Sequence, residues 1–568
     1  MSPQPPTFAC HLKPAKLKAT LCHKNHNLLP IDGNMWKYLC YAVGFVFGTL
    51  MLFGGAFVLN SMQSIFADKI KANLPIVRGT EAYTRYTTPS VPLQVRMYMF
   101  NVTNPEQVTK GGAKPNLSQI GPFSMVERRR REIVGISADN KTLDYKLYRS
   151  YIFNPNDSVP LDSIVTLPNA AAFSAFFSAQ EKARDEEGAA NPITVISDYL
   201  ANESVYLTDT ADNWLFKGIR LKWLDSLNHD GVDFEDQPPD NTFGFYYKKN
   251  NTWDERADGI MTISTGADGD FDNIGKVLKW NKRSEVNFWK GKSCNAVRGT
   301  DGQFFHPNVQ KDEILEIFAP DLCRTLAIEF IKTTSIRSIE LYRFGISSSF
   351  FKPIDYNDET KCYCVKRSHE AKQKFCKLGG VIDVSSCRKK PIVLSTPHFY
   401  NGDPSLRQSV EGLSPSAANH DTFIDIEPMT GSVLRVRRRL QVNVEMGPTE
   451  GFQDSRFLRD KIIHPFVWMD QSIVVPDEIA QKLENKLTKI VRMIRILCYA
   501  ALITGPIILV ATLILICRDI KSEDKKIRNS KKSSNQKGTG GDYQKVQVIL
   551  KPLNNSTESG ANSSNTKE

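Results

Sequence analysis

The chain has 568 residues, 41% of them apolar, which admits packed domains and excludes wholesale disorder. Its formal charge is +11, yet +4 of this lies in residues 1–37 and +5 in residues 518–568. About +2 is left for the remainder, so neither a basic groove nor a nucleic-acid partner is implied.

Residues 1–37 are read as a cytoplasmic N-terminal tail. YLCYAVGFVFGTLMLFGGAFVL (38–59) follows, 22 residues without a charge. At 1.5 Å per residue it reaches about 33 Å, enough for a hydrocarbon core of about 30 Å. The apolar run is longer than that of a signal peptide and begins late, so a retained transmembrane helix is expected. ILCYAALITGPIILVATLILIC (496–517) has the same length, and a basic tail follows it. The positive-inside bias places both tails in the cytoplasm and residues 60–495 on the exoplasmic side. Lys486, Lys489, Arg492 and Arg495 run against that bias, but long domains translocate largely regardless of charge. Residues 518–568 are rich in Lys, Ser, Asn and Gly and read as a disordered cytoplasmic tail.

Between the spans the sequence reads mostly as strands. SVPLQVRMYMFNVTN (90–104) alternates Val91, Leu93, Val95, Met97 and Met99 on one side. SVLRVRRRLQVNVEM (432–446) sets Leu434, Val436, Leu440, Val442 and Val444 against Arg435, Arg437, Arg439, Gln441 and Asn443; Arg438 interrupts the apolar row. Period-two patterns of this kind make half-buried strands. TLDYKLYRSYIF (142–153) and TFGFYYKK (242–249) add further strands, and together they predict a large antiparallel sheet or barrel. Helices are expected at 167–188, which is alanine-rich, at 210–225, and at 311–330 with a break at Pro320.

Six sequons fall in the exoplasmic segment, at Asn101, Asn116, Asn140, Asn156, Asn202 and Asn250, and are candidate glycosylation sites. The same segment holds Cys294, Cys323, Cys362, Cys364, Cys376 and Cys387. Their spacing lacks the repeated Cys-x₂₋₄-Cys of a zinc site, and an even count in an oxidising compartment reads as three disulfides of open connectivity. Cys40 and Cys517, at the cytoplasmic ends of the spans, fit either S-palmitoylation or simple packing. Tyr543-Gln-Lys-Val546 fits a Tyr-x-x-Φ sorting signal for trafficking adaptors.

Signs of catalysis are missing from the sequence: it has no Gly-x-Ser-x-Gly elbow, His-Glu-x-x-His or Walker loop. Asp268, Asp270 and Asp272 have calcium-loop spacing, but Asn273 stands where glycine is needed and Lys279 where the bidentate Glu belongs. The expectation is a non-enzyme with no metal and no cofactor. Arg128–Arg131 and Lys248-Lys249 read as either anion-attracting patches or solvated faces.

NVTNPEQV (101–108), QIGPF (119–123), GTDGQFFHP (299–307), PDLCRTL (320–326), YRF (342–344), LSTPHF (394–399) and DIEPMTG (425–431) resemble, in that order, the class B scavenger receptor family. The likeness covers roughly residues 35–517. It implies an α+β membrane protein, in which a large antiparallel β-barrel ectodomain with an apolar tunnel and a helical crown (about 168–225) is anchored by an N-terminal and a C-terminal transmembrane helix. It implies the pairing Cys294–Cys362, Cys323–Cys387 and Cys364–Cys376; closing the Cys323–Cys387 loop is worth about 4 kcal/mol in the chain-entropy model. Where fatty-acid translocase presents crown lysines, this sequence has Ala201, Asn202 and Glu203.

The resemblance further implies a plasma-membrane receptor for fatty acids, sterols or phospholipids, for lipoprotein particles or for other polyanionic ligands. In this reading lipid passes down the tunnel to the bilayer. The alternative is an endosomal or lysosomal membrane glycoprotein that carries a hydrolase or exports lipid.

Overall fold

A computed structural model describes residues 33–535, apart from 186–191, 231–236, 256–257, 355–359, 365–375, 450–451 and 459. Two units result, one of residues 1–60 with 495–568 and one of residues 61–494.

The first unit contains the apolar parts of two long helices, Gly33–Lys71 and Ile490–Asn535. Both are long and apolar enough to cross a membrane. They pack through small residues. A Cβ on Gly48 would stand 3.1 Å from the Gly505 carbonyl oxygen, and one on Gly55 would stand 3.2 Å from Ala501 Cβ. Such close approach of backbones is what small residues allow between apolar helices, where hydrophobic driving force is missing. Tyr41 donates to Asp519 at 2.9 Å at one end of the pair.

The second unit is built on a fourteen-stranded sheet. Eleven strands form its main path: β1 (Leu93–Val102), β2 (Leu117–Ile136), β3 (Thr142–Phe153), β4 (Met261–Ser264), β5 (Val277–Trp280), β6 (Leu315–Ala319), β7 (Arg324–Ile336), β8 (Ile339–Ile346), β9 (Phe423–Glu427), β10 (Ser432–Met446) and β11 (Ile462–Val474). Their spatial order is β5-β4-β3-β2-β1-β11-β10-β9-β8-β7-β6, antiparallel throughout.

The edges β5 and β6 are joined by Gly299 and Thr300. Val277 N–H donates to the Gly299 carbonyl at 2.8 Å, and Phe318 N–H donates to the Thr300 carbonyl at 2.8 Å. Trp280 and Phe318 meet across the seam with ring centroids 5.7 Å apart. Gly299 has φ +82°, and a Cβ there would lie 2.4 Å from the Glu316 backbone, so only glycine lets the bridging segment come this close. The sheet is therefore nearly closed, which removes the exposed edges that an open sheet of this size would present.

A helical cluster covers the barrel end that holds Val102, Leu117 and Met446. It contains helices Ala170–Asp185, Pro192–Leu200 and Lys222–His229, with the strand pair Ile164–Pro168 and Tyr206–Thr210. Asn169 begins the first helix, its Oδ1 accepting the Ala172 N–H at 3.1 Å. Phe173 and Phe176 lie on Phe452 with centroids 5.4 and 5.5 Å apart. The core they share continues into Met97, Met99 and Val467 of the sheet.

The expected helix at 311–330 is instead β6, a turn at Pro320–Leu322, and β7. The turn ends on Cys323 at φ +54°, held by its bond to Cys387, and pairing along both strands overrides the helix-forming composition. In 210–225 both ends are helical and residues 218–221 between them are not. Residues Asn213–Lys217 make one wide π turn that Gly218 terminates, and the helix runs Lys222–His229. Of 242–249 only Thr242–Phe243 is strand.

Candidate functional site

Cross-strand partners lie on one face of a sheet, so register identifies the side chains that point into the barrel. Leu440, Met469, Met97 and Phe123 form one row across β10, β11, β1 and β2. Val442, Val467 and Met99 form the next row towards the helical cluster. Val436 and Ile473 form another row on the far side. The opposite face is polar and lies outward. There Arg96 pairs with Asp157, both partly exposed, and Arg439 meets Asp470 under the segment 416–421. Alternation therefore puts the apolar face inside and the polar face outside.

Several inward side chains, including Leu440, Val442, Met469 and Ile473, are only half-buried. In a sheet closed on itself that accessible surface faces the interior, so the interior is not filled by side chains as a small barrel's is.

One inward row breaks the apolar pattern. Arg438 stands between Val436 and Leu440, and Gln471 opposite it between Ile473 and Met469. By register this row continues into Val95 and Met125, while Glu127, opposite Leu93, and Arg129, opposite Arg149, stand one and two inward positions further along β2. The turn Pro320–Leu322 brings Asp321 within reach of both Arg438 and Arg149. Leu322 belongs to an apolar cluster that Leu440 and Val442 pack against, and Asp321 accepts from Arg438 at 2.7 Å. Arg438 also donates to Gln471 at 3.3 Å, Arg129 to Glu127 at 2.7 Å, and Arg149 to Asp258 at 2.6 Å. Burial alone would raise the Asp321 carboxyl; Arg438, and Arg149 across the interior, outweigh it and hold the group well below the usual carboxylate range. The side chains of Arg438 and Asp321 nonetheless keep 38% and 39% of their surface accessible. This belt is charged and open to the space the barrel encloses. In the sequence only Arg438 signalled it, as a break in alternation.

A second polar constellation lies on the outer face. Gln119 Oε1 accepts from Trp468 Nε1 at 2.8 Å and bonds His398 Nε2 at 2.8 Å. His398 Nδ1 accepts the Ser414 N–H at 3.0 Å, which leaves the proton on Nε2. His398 stacks on His420 at 4.4 Å. Burial and the neighbouring imidazole push His398 down to about 4; burial and Arg439 do the same for His420. No sequence pattern pointed to this pair, because its members come from separated loops.

The sequence-predicted sites fall as follows. The disulfides present are Cys294–Cys362, Cys323–Cys387 and Cys364–Cys376. Asn116, Asn140, Asn156, Asn202 and Asn250 are exposed, whereas Asn101 is half-buried in β1 and its Oδ1 accepts the Thr166 N–H at 2.7 Å. Cys40 and Cys517 are exposed on their helices. Tyr543 and Val546 lie outside the described residues.

Arg128–Arg131 do not form a patch. Arg131 is buried against Asp301, Arg129 turns to Glu127, and Arg130 lies near Glu132 and over the Tyr148 ring. Lys248 is paired with Asp240 at the surface.

The CD36 family model matches residues 45–516. The chain is 28% identical to lysosome membrane protein 2 of Rattus norvegicus, over 75% of this chain and 84% of that protein. It is 27% identical to scavenger receptor class B member 1 of Sus scrofa, over 86% of this chain and 91% of that protein. It is 29% identical to sensory neuron membrane protein 1 of Helicoverpa armigera, over 78% and 84% respectively.

Proposed function

This chain belongs to the CD36 family, and from that membership we propose that it is a two-pass receptor whose barrel interior conducts lipid towards the membrane. Ligands of this class, namely fatty acids, sterols or phospholipids, alone or in lipoprotein particles, would dock at the helical end. Both termini would be cytoplasmic, with the six exoplasmic sequons available to glycans and Tyr543 to adaptors.

One observation carries the reading: inward apolar rows of a nearly closed sheet keep accessible surface, at Leu440, Val442 and Met469. Each methylene kept from water is worth about 0.8 kcal/mol, so a long acyl chain gains from such a lining while water gains nothing. No chemistry beyond transfer is needed.

Val442→Trp and Leu440→Trp test it by filling the space. In cells expressing the full chain, uptake of a fluorescent fatty acid should fall at least about tenfold with surface level unchanged. Uptake equal to that of the unaltered protein defeats the conduit. Relatives named for the lysosome membrane favour one further measurement. Tagged protein found on lysosomes, with none at the surface, would move the same conduit to that membrane.

A further inference from the structure

We infer that the charged belt is a polarity filter, which admits lipids with a hydrogen-bonding head and holds back wholly apolar ones. The inference rests on the conduit reading and adds to it which lipids pass. Residues Arg438, Gln471, Asp321, Glu127, Arg129 and Arg149 interrupt an otherwise apolar interior on four different strands and a turn. Apolar rows flank Arg438 and Gln471, Val436 and Ile473 on one side, Leu440 and Met469 on the other. A molecule travelling the interior past the turn that carries Asp321 meets these groups.

The belt is not sealed. Arg438 and Asp321 stay more than one third accessible although the barrel surrounds them, and Arg129 keeps 29%. Their polar atoms therefore face the path. A guanidinium carries five N–H donors in a fixed fork; Arg438 uses some of them on Asp321 and Gln471 and has others to offer.

A wholly apolar ligand, such as a steryl ester or hydrocarbon, would cover these groups and give nothing back, and a buried polar group left unpaired is costly. An amphiphile with a carboxylate or phosphate head can accept from the spare donors as its tail lies on the apolar row beyond. The belt thus costs the first class a barrier that the second avoids. It also explains why charge is retained at a level where apolar side chains would pack as well.

The test uses the full chain reconstituted in phosphatidylcholine vesicles, with donor vesicles carrying either a pyrene-labelled fatty acid or a pyrene-labelled steryl ester. The unaltered protein should transfer the acid faster. The double variant Arg438→Met with Asp321→Leu removes both members of one pair, a change buried ion pairs tolerate better than loss of one member. It should speed steryl-ester transfer about tenfold or more without speeding the acid.

Gln471→Leu, which breaks no ion pair, should move the ratio in the same direction by less, and it keeps the test decisive if the double variant does not fold. An acid-to-ester ratio unchanged in a folded variant overturns the filter while leaving the conduit standing. Transfer of neither probe by the unaltered protein overturns both.

Discussion

The buried pair Arg131–Asp301 offers a test of how the segment leaving the N-terminal span is fixed to the barrel. Asp301 Oδ2 accepts from Arg131 at 2.7 Å, from Tyr86 at 2.9 Å and from Tyr145 at 3.1 Å, and its Oδ1 accepts the Gln303 N–H at 3.1 Å. Arg131 also donates to the Tyr86 carbonyl at 2.9 Å, with its guanidinium 4.4 Å from the Tyr86 ring. The two side chains are 5% and 9% accessible. Tyr86 belongs to the short helix Glu81–Thr87, so one carboxylate joins that helix to β2 and β3.

Asp301→Ala leaves a buried guanidinium unpaired, which costs about 3–5 kcal/mol, and strips an acceptor from two buried phenols at about 1 kcal/mol each. Shared atoms prevent simple addition, so about 4 kcal/mol or more is expected. Arg131→Met with Asp301→Leu removes both charges and should recover most of that loss. Equilibrium denaturation of the full chain in detergent, followed by tryptophan fluorescence, measures all the variants. The reasoning fails if either single variant costs less than about 1 kcal/mol, or if the double variant costs the sum of the singles.

Acid should loosen the ectodomain. Burial pushes His464 from 6.5 down to about 4, so the folded state favours the neutral ring. Its contribution is fully present above about pH 6.5 and is lost as pH falls towards about 4. The loss is worth about 3 kcal/mol for this residue. The thermal midpoint should fall across that window, and His464→Phe should flatten the fall; an equal slope in the variant removes His464 from the account. In the membrane unit, cysteines at Gly55→Cys and Ala501→Cys should cross-link readily, since their Cβ atoms would stand 3.2 Å apart, close to the roughly 3.5–4.5 Å of a disulfide. Gly48→Leu should abolish that link, read as one that survives proteolytic cutting of the ectodomain, because its side chain would meet Leu509 and the Gly505 carbonyl.

The strands of β1, β3 and β10 were legible because half-buried alternation is written locally: the quoted segments 142–153 and 432–446 are β3 and β10 residue for residue. The stretch 311–330 misled because Leu315 and Phe318, both buried, have helical spacing, and what makes them strand is pairing with β7, a non-local fact. The belt was legible at one residue only. Arg438 broke a local rule, whereas Asp321 and Arg149 read as ordinary turn and strand polar residues until the folded-in turn brings Asp321 within reach of Arg438 and Arg149. Glycine at 299 opened a motif of the resemblance but gave no signal of its structural role, since its need arises from the Glu316 backbone on another strand.

The contacts on the outer face help explain how such a barrel stays folded although part of its inner face is not packed. In a small closed sheet the inward side chains interdigitate and supply the core, and removing them would cost the fold. Here Leu440, Val442 and Met469 retain accessible surface, although Met97, Met99, Phe123 and Val467 in the same rows are 1% accessible or less and belong to the core, so part of the stability has to come from elsewhere. The outer face supplies part of it. Gln441 accepts the His398 N–H at 2.6 Å and donates to Asn443 at 2.6 Å, Asn443 donates to Ser395 Oγ at 3.0 Å, and Gln119 joins Trp468 to His398. Gln441 and Asn443 are buried and satisfied and, with the exposed Gln119, bind residues 393–398 to the strands they cover; each buried amide carries the penalty of an unpaired polar group if that segment leaves. The crown core, the further apolar clusters and the three disulfides add to it. Changes at Leu440, Val442 or Met469 should therefore cost less stability than changes at Gln441 or Asn443, which are fully buried.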